Sequence, residues 1–525
     1  MSFLMPITGP ILGIEGTAWN LSAAVFGDEL ITQHASAYEP LQGGIHPREA
    51  AQHHATMMKE VIGKVLKETD RIAGVAFSRG PGLGPCLRTV GTASRALALA
   101  FNVPLIGVNH CIAHIEIGRW ATGCRDPITL YVSGANTQVL GFLHSRYRIF
   151  GETLDIGLGN ALDKFARYKG LPHPGGPIVE ELALKGSYLE LPYTVKGMDL
   201  AFSGLVSAAK DSHASLEDVC FSLQENAFAM CVEVTERALA HAEKEEVLLV
   251  GGVGVNGRLQ EMLRIMCEDR EATFHVPPKK YLSDNGAMIA YTGRLMLESG
   301  QTIPIEESRI NPGYRADEVD VTWRKNSQVS PRTLEKTEAR GAEAIVTLGK
   351  EIVDKHRIGK RYRRPELDQR LIFERTRAEA RLIATARKAG VPTPIIQDVT
   401  PDIIIMERVH GALLKDELHP EYLRAAGETV GKLHSAGIIH GDLTTSNMIL
   451  RDERCVLIDF GLAQVSTELE ARGVDLHVLF QTLKSTTPDY KILREAFIEG
   501  YQENFPLFEE VLKREHEIER RGRYL

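Results

Sequence analysis

Tryptophan is scarce in this chain, three residues in 525. Cysteine is sparse too, at seven positions (86, 111, 124, 220, 231, 267 and 455) with no CxxC pair among them. That spacing indicates neither a disulfide framework nor a zinc ribbon, and it fits a reducing compartment. No apolar run approaches the roughly 20 residues needed to cross a bilayer. The apolar opening MSFLMPITGPILGIEG has no basic leader and no small-residue cleavage pattern, so the expectation is a cytoplasmic protein with no membrane partner. Low-complexity tracts and solenoid-period repeats are also missing. So is an excess of positive charge: 61 Lys and Arg stand against 69 Asp and Glu, a formal net charge of −8. That balance excludes a protein that coats nucleic acid nonspecifically, so an RNA partner must be held locally. Two basic clusters could do so, HRIGKRYRR at 356–364 and a tail carrying Lys513, Arg520, Arg521 and Arg523, although such runs are more often solvated surface.

What is present is apolar material for more than one core. With 43% hydrophobic residues over 525 positions, two or three domains are expected. Residues 1–323 form the first. In it strand-like runs (ILGIEG, LSAAVFG, IAGVAFS, PLIGV, ITLYVSG, VLLVGGVG) alternate with helical stretches, which reads as an α/β fold. Glycine-rich turns follow the strands at 13–16, 80–84, 133–137 and 251–257, where backbone can approach a phosphate. Several such turns facing one cleft suggest a nucleotide site between two lobes. Residues 324–340 are polar and lack hydrophobic periodicity, which marks a linker or an exposed lead-in strand. A second domain is expected over 341–525.

His110 and His114 stand four residues apart, a spacing that puts two imidazoles on one face of a helical turn, as metal ligands require. Asp284 in SDNGAMIA offers a third ligand at the mouth of a later helix. The phosphate-type loop GPGLG lies upstream, and a metal beside bound phosphate implies group transfer. A metalloprotease is the first competing reading. It fails because HExxH needs glutamate directly after the first histidine, where this chain has Cys111.

In the second half, HGDLTTSN places Asp442 and Asn447 on one loop, and IDFG places Asp459 after a strand. Phosphoryl transfer divides its labour in this way: one carboxylate orients the accepting hydroxyl, while an amide oxygen and a second carboxylate hold Mg²⁺. Lys355 can reach the phosphates of ATP and Glu379 can hold it there. Three features depart from ordinary protein kinases. Gly341, Ala342, Glu343, Ala344, Ile345 and Val346 replace the GxGxxG loop over ATP, HGD replaces HRD, and no APE follows DFG. From RGAEAIV through KHRIGKRYRRP, HGDLTTSN, IDFG and GVDLHVL to the RRGR tail, the chain resembles the small atypical kinase of the KEOPS complex. The resemblance implies an α+β, kinase-like ATPase with occasional Ser/Thr autophosphorylation, working beside a partner enzyme, with a tail that contacts tRNA.

The first half, in GIEGTA, RGPGLG, GVNHCIAHIEIG, YVSGANTQ, DIGLGNALDKFAR, PYTVKGMDLAFSG, SLQENAFAM, GGVGVNGRLQEM and DNGAMIA, resembles the threonylcarbamoyladenosine synthase family, the catalytic subunit of KEOPS. The resemblance implies a two-lobed actin/Hsp70-like (ASKHA) fold. It implies a metal, Fe²⁺ or alternatively Zn²⁺, on His110, His114, Asp284 and Tyr131. It also implies a substrate pocket: Tyr131, Val132, Ser133, Gly134 and Ala135 as a backbone cradle, with Asp163, Gly176, Glu180 and Asn256. The carboxylates can accept hydrogen bonds from ribose hydroxyls. The implied reaction moves a threonylcarbamoyl group from threonylcarbamoyl-AMP to the adenine 3′ to the tRNA anticodon. No general base stands out, and Glu15 in GIEGT is the candidate. Fusion of the halves implies an archaeal source and further small KEOPS subunits as partners. A second competing reading makes the chain a regulatory protein kinase with a nucleotide-binding module in front.

Overall fold

Residues 9–40, 44–143, 145–324 and 338–524 are described by a computed structural model, apart from the side chains at 485 and 519–524. They divide at residue 330 into two compact units.

The first unit uses one plan twice. Strand Ile11–Glu15 pairs antiparallel with Asn20–Phe26, which pairs with Leu30–Ala37; on its other side it runs parallel to Gly74–Gly80, and that strand to Leu105–Asn109. The second sheet repeats order and sense. Ile128–Val132 pairs antiparallel with Thr137–Leu143 and then Arg146–Glu152, and on its other side runs parallel to Glu246–Val250 and then Thr273–His275. Helices cover both faces, so the central strands are near-continuous apolar runs. Ile11–Glu15 is buried at every residue, the glutamate included.

Two helix starts position chemistry. Asn109 ends a strand and caps helix His110–Thr122 by accepting the Ile112 N–H, while Gly123 in the left-handed region ends it. Every residue from 110 to 118 is buried, so this helix is enclosed on all sides. Burial of Ile112, Ile115 and Ile117 stabilises it by about 1.5–3 kcal/mol each. Asn285 likewise caps helix Gly286–Glu298 by accepting the Met288 N–H. Asp284 is thereby left just outside the helix, with its side chain at the mouth. That helix lies directly on the first strand: a Cβ at Gly13 would stand 2.2 Å from the Ala290 nitrogen.

The second unit opens on an antiparallel five-stranded sheet in the order Glu338–Arg340, Ala344–Leu348, Ile352–Arg357, Ile403–Glu407, Ile396–Val399. Its first strand lies inside the segment expected as a linker or an exposed lead-in strand, and is exposed at all three residues, so pairing begins by Glu338; residues 325–337 lie outside the described residues. Helix Pro365–Lys388 follows the third strand, and helices Pro420–Ser435, Leu469–Thr486, Tyr490–Asn504 and Phe508–Tyr524 build the rest. Leu423, Val430, Leu476 and Phe497 belong to its core. Of the cluster at 356–364, Arg357, Lys360 and Arg363 are buried. The reading of this cluster as surface charge, solvated or RNA-holding, is therefore corrected for those three, which turn inward to carboxylates and carbonyls. Arg520, Arg521 and Arg523 of the tail have side chains outside the described residues. Among the described residues no helix is long and apolar enough to cross a membrane.

Helices Pro420–Ser435 and Tyr490–Asn504 meet backbone to backbone. A Cβ at Gly427 would stand 2.0 Å from the Phe497 oxygen, and one at Gly500 2.0 Å from the Arg424 oxygen. Gly500→Ala should destabilise the second unit by about 1–3 kcal/mol through overpacking. Thermal denaturation checks this, and an unchanged midpoint would show that the pair can separate freely.

Candidate metal centre and nucleotide sites

His110 begins its helix and His114 follows one turn on, their rings 4.9 Å apart at 86°. Both Nε2 atoms face one carboxylate oxygen: Asp284 Oδ1 lies 3.2 Å from His114 Nε2 and 3.5 Å from His110 Nε2. One ligand atom from each of the three residues falls within 4.8 Å of the others. Tyr131, on the central strand of the second sheet, places its ring 5.2 Å from that of His114. Its hydroxyl is buried with no hydrogen-bond partner, which costs about 1–3 kcal/mol if nothing binds there. Two imidazole nitrogens, a carboxylate and a phenol oxygen fit a divalent first-row ion with an open position.

The electrostatics favour a cation. Burial works against a charged His110, but the Glu15 and Asp284 carboxylates outweigh it and raise the imidazole to about 9. Burial lowers His114 below the ordinary histidine value. Burial opposes ionisation of Asp284 as well, yet the two histidines hold its carboxyl at about 2. Burial, with Cys111 and Asp284 close by, raises the Tyr131 phenol well above its usual value; a neighbouring cation is what would release its proton.

Glu15, the candidate general base, lies behind His110. Its carboxylate is fully buried; Oε1 accepts the Thr17 N–H at 2.7 Å, and Oε2 lies 3.1 Å from His110 Nδ1. With Nδ1–H donating to Glu15, Nε2 is the nitrogen that would give up its proton and present its lone pair to an ion. Sequence reasoning missed this pairing, whose partners are 95 residues apart.

The GPGLG loop also departs from expectation. The Gly82 N–H donates to the Pro312 carbonyl and the Leu83 N–H to the Thr17 carbonyl, so two of the presumed phosphate donors are spent on protein. Gly80 and Gly82 are required by close approach. A Cβ at Gly80 (φ +149°) would stand 1.7 Å from the Asn311 oxygen, and one at Gly82 (φ +157°) 2.8 Å from the Thr17 oxygen.

Beside the metal ligands, Tyr131 and Val132 end their strand, and Ser133, Gly134 and Ala135 turn away, closed by the Ser133 N–H donating to the Asn136 carbonyl. The Ser133 and Gly134 carbonyls accept the N–H groups of Gly159 and Asn160 in helix Leu158–Tyr168. Asp163 on that helix accepts the Gly175 N–H at 2.7 Å, bringing Gly176 to the same edge, and its other oxygen lies 3.6 Å from His173 Nδ1. Glu180 accepts the Gly257 N–H at 2.8 Å. Asn256 caps helix Gly257–Asp269 through Oδ1 and donates from Nδ2 to Gln224, so both ends of its amide are engaged. Two hydrogen bonds thus tie Asp163 to the start of helix Gly175–Ala183, and Glu180 of that helix to the start of helix Gly257–Asp269, which Asn256 caps.

In the second unit, Asp442 and Asn447 face each other, the Asn447 amide donating to Asp442 Oδ2 at 2.9 Å. The loop is pinned from behind: Asp475 of GVDLHVL accepts the His440 and Gly441 N–H groups at 2.6 and 2.8 Å, and His440 Nε2 donates to the Ile458 carbonyl. Asp459 sits at φ +60°, a left-handed backbone that costs a non-glycine residue about 1–3 kcal/mol and is typical of functional loops. Lys355 bridges Glu379 and Asp459, 2.7 Å from each. Partial burial pushes the Asp459 carboxyl up, but Lys355 outweighs it and holds the group at about 2. Gly341 and Ala344 close a hairpin turn with Ala342 and Glu343 at the tip, and Ala344, Ile345 and Val346 start the next strand. A short hairpin therefore stands where other kinases carry a glycine-rich flap.

Residues 28–291 match the family TsaD, tRNA N6-adenosine threonylcarbamoyltransferase, which takes in the metal trio, Tyr131 and the pocket residues but not Glu15. Residues 347–473 match the RIO domain family, which takes in Lys355, Glu379, Asp442, Asn447 and Asp459 but not the 341–346 turn. Whole-length relatives named as bifunctional tRNA threonylcarbamoyladenosine biosynthesis proteins occur in Methanoculleus marisnigri (68% identical, covering 100% of both chains), Methanospirillum hungatei (67%, covering 98% of this chain and 99% of the relative) and Methanocorpusculum labreanum (64%, covering 98% and 99%). With an actin/Hsp70-like threonylcarbamoyltransferase domain followed by a RIO kinase-like domain, this chain belongs to the family of bifunctional tRNA threonylcarbamoyladenosine biosynthesis proteins.

Proposed function

We propose that the first unit transfers a threonylcarbamoyl group from threonylcarbamoyl-AMP to N6 of the adenine 3′ to the anticodon, in tRNAs that read codons starting with A. The second unit, an Mg²⁺- and ATP-dependent Ser/Thr kinase or ATPase, supports that transfer. The observation that carries this reading is the convergence of His110, His114 and Asp284 within 4.8 Å, with the partnerless phenol of Tyr131 beside them. These four residues would hold Fe²⁺ or Zn²⁺. Such an ion supplies Lewis-acid stabilisation of the negative charge that develops as the amine attacks.

The remaining work belongs to the protein. The turn at 131–135 cradles the adenylate phosphate, and Gly176 lets the main chain close on it. Asp163 and Glu180 accept hydrogen bonds from its ribose hydroxyls, and Asn256 holds the adjoining helix start in place. The N–C bond forms at the carbamoyl carbon, the C–O bond of the mixed anhydride breaks, AMP leaves with the electron pair, and the proton that N6 loses passes to solvent. In the second unit Lys355, steadied by Glu379, reaches the phosphates of ATP under the 341–346 turn. Asn447 and Asp459 hold Mg²⁺, and Asp442 orients the acceptor. Tethering keeps the two activities at high effective concentration. Small KEOPS subunits complete the assembly in the cytoplasm.

The test is nucleoside mass spectrometry of unmodified tRNA after incubation with the purified chain, those subunits and threonylcarbamoyl-AMP. Threonylcarbamoyladenosine should appear with an equal amount of AMP; unmodified tRNA would contradict the proposal. Since Glu15 orients His110, Glu15→Gln should weaken metal affinity about 10–100-fold. Competition against a chelator reads this directly, and unchanged affinity would mean that His110 is oriented by other groups.

A further inference from the structure

Arg357 stands two residues beyond Lys355 on strand Ile352–Arg357, so the two cations share one face of the sheet. It is only 4% exposed. Its Nη2 meets Glu379 Oε2 at 2.5 Å and its Nη1 meets Glu343 Oε2 at 2.7 Å. Glu379 is therefore divided between two cations, Oε1 on Lys355 and Oε2 on Arg357. A carboxylate with one partner can rotate about its own axis, whereas one held at both oxygens cannot. Glu343 lies at the tip of the hairpin turn, where Arg375 Nη1 also reaches it at 3.4 Å. An alternating series of charges, Asp459, Lys355, Glu379, Arg357, Glu343, thus runs from the DFG carboxylate to the turn. Gly461 borders both cations: a Cβ there would stand 3.5 Å from Lys355 Nζ and 3.6 Å from Arg357 Nη2.

We infer that Arg357 is a positioning residue of the ATP site, fixing Glu379 so that it presents Lys355 to the phosphates and tying the hairpin turn to the helix that carries Glu379. This rests on the reading of the second unit as an ATP site. The planar guanidinium suits the task because it spans two carboxylates at once, which a lysine ammonium on a flexible stem cannot do with the same geometry. When ATP phosphates draw Lys355 away from Asp459 and free that carboxylate for Mg²⁺, the Glu379–Arg357–Glu343 segment keeps the lysine aimed.

The experiment uses the full chain with Arg357→Lys, Glu343→Gln and the double variant, measuring kcat and KM for ATP hydrolysis along with the thermal midpoint. Lys355 touches the phosphates in both the bound and the transition state, so losing its alignment raises KM more than it lowers kcat. Arg357→Lys should raise the KM for ATP about tenfold with kcat within about threefold of the parent. Glu343→Gln should shift KM in the same direction by less. The double variant should be no worse than Arg357→Lys alone, because the two residues act in series. Unchanged KM in Arg357→Lys, or effects that multiply independently in the double variant, would overturn the inference. Glu343→Gln at the partly exposed tip carries the test if Arg357→Lys fails to fold, since an unchanged KM there also overturns it. A parent chain that neither binds nor hydrolyses ATP would instead refute the ATP-site reading, and the inference with it.

Discussion

Asp284→Asn should abolish tRNA modification while ATP hydrolysis by the second unit continues at the parent rate. Asn keeps the shape of the side chain and removes its charge, so the capped start of helix Gly286–Glu298 stays in place. What is lost is the one anionic oxygen that His110 and His114 both face. Two neutral imidazoles and a protonated phenol hold a divalent ion poorly, and a metal's contribution to charge stabilisation is several kcal/mol. At about 1.4 kcal/mol per tenfold in rate, transfer should fall by about 10³-fold or more. Nucleoside mass spectrometry measures the product and a phosphate-release assay measures the ATPase. His114→Ala should behave alike in both assays, although it also opens a cavity at a fully buried position. If modification survives in both variants, the first unit does not use this centre.

The second large effect is the reverse separation. Asp442→Asn should lower ATP hydrolysis by about 10²–10⁴-fold, the usual range for removing a positioned carboxylate that orients the attacking oxygen. Metal content and threonylcarbamoyl-AMP affinity of the first unit should stay at parent values. The substitution keeps a side chain against Asn447, 2.9 Å away, and leaves the Asp475 bonds that pin the loop. A chain that was only a regulatory kinase with an accessory module would fail the other way: Asp284→Asn would leave every measurable activity intact.

Much of both sites was legible because their residues are close in sequence or sit in dense motifs. The spacing of His110 and His114 is a helical turn, and Asp442, Asn447 and Asp459 share one stretch of chain. The strand alternation gave the α/β character of the first unit, but not that its two sheets share one topology, because identical order and sense need no identical residues. The glycines of GPGLG signalled backbone crowding without saying against what; for Gly80 and Gly82 the neighbours are Asn311 and Thr17. Arg357 and Lys360 read as surface charges because the carboxylate and carbonyl that absorb them are supplied by a turn 14 and 18 residues earlier. Strand Glu338–Arg340, three exposed residues at a sheet edge, has no apolar period, which is why the sequence left lead-in strand and linker both open.

Elemental analysis of the chain purified without added chelator decides most directly whether a metal-centred first unit is correct. The parent protein and Asp442→Asn should each carry about one Fe or Zn per chain, and Asp284→Asn and His114→Ala almost none. Full occupancy in either ligand variant, or a parent chain that takes up no ion from buffered Fe²⁺ or Zn²⁺, would contradict it.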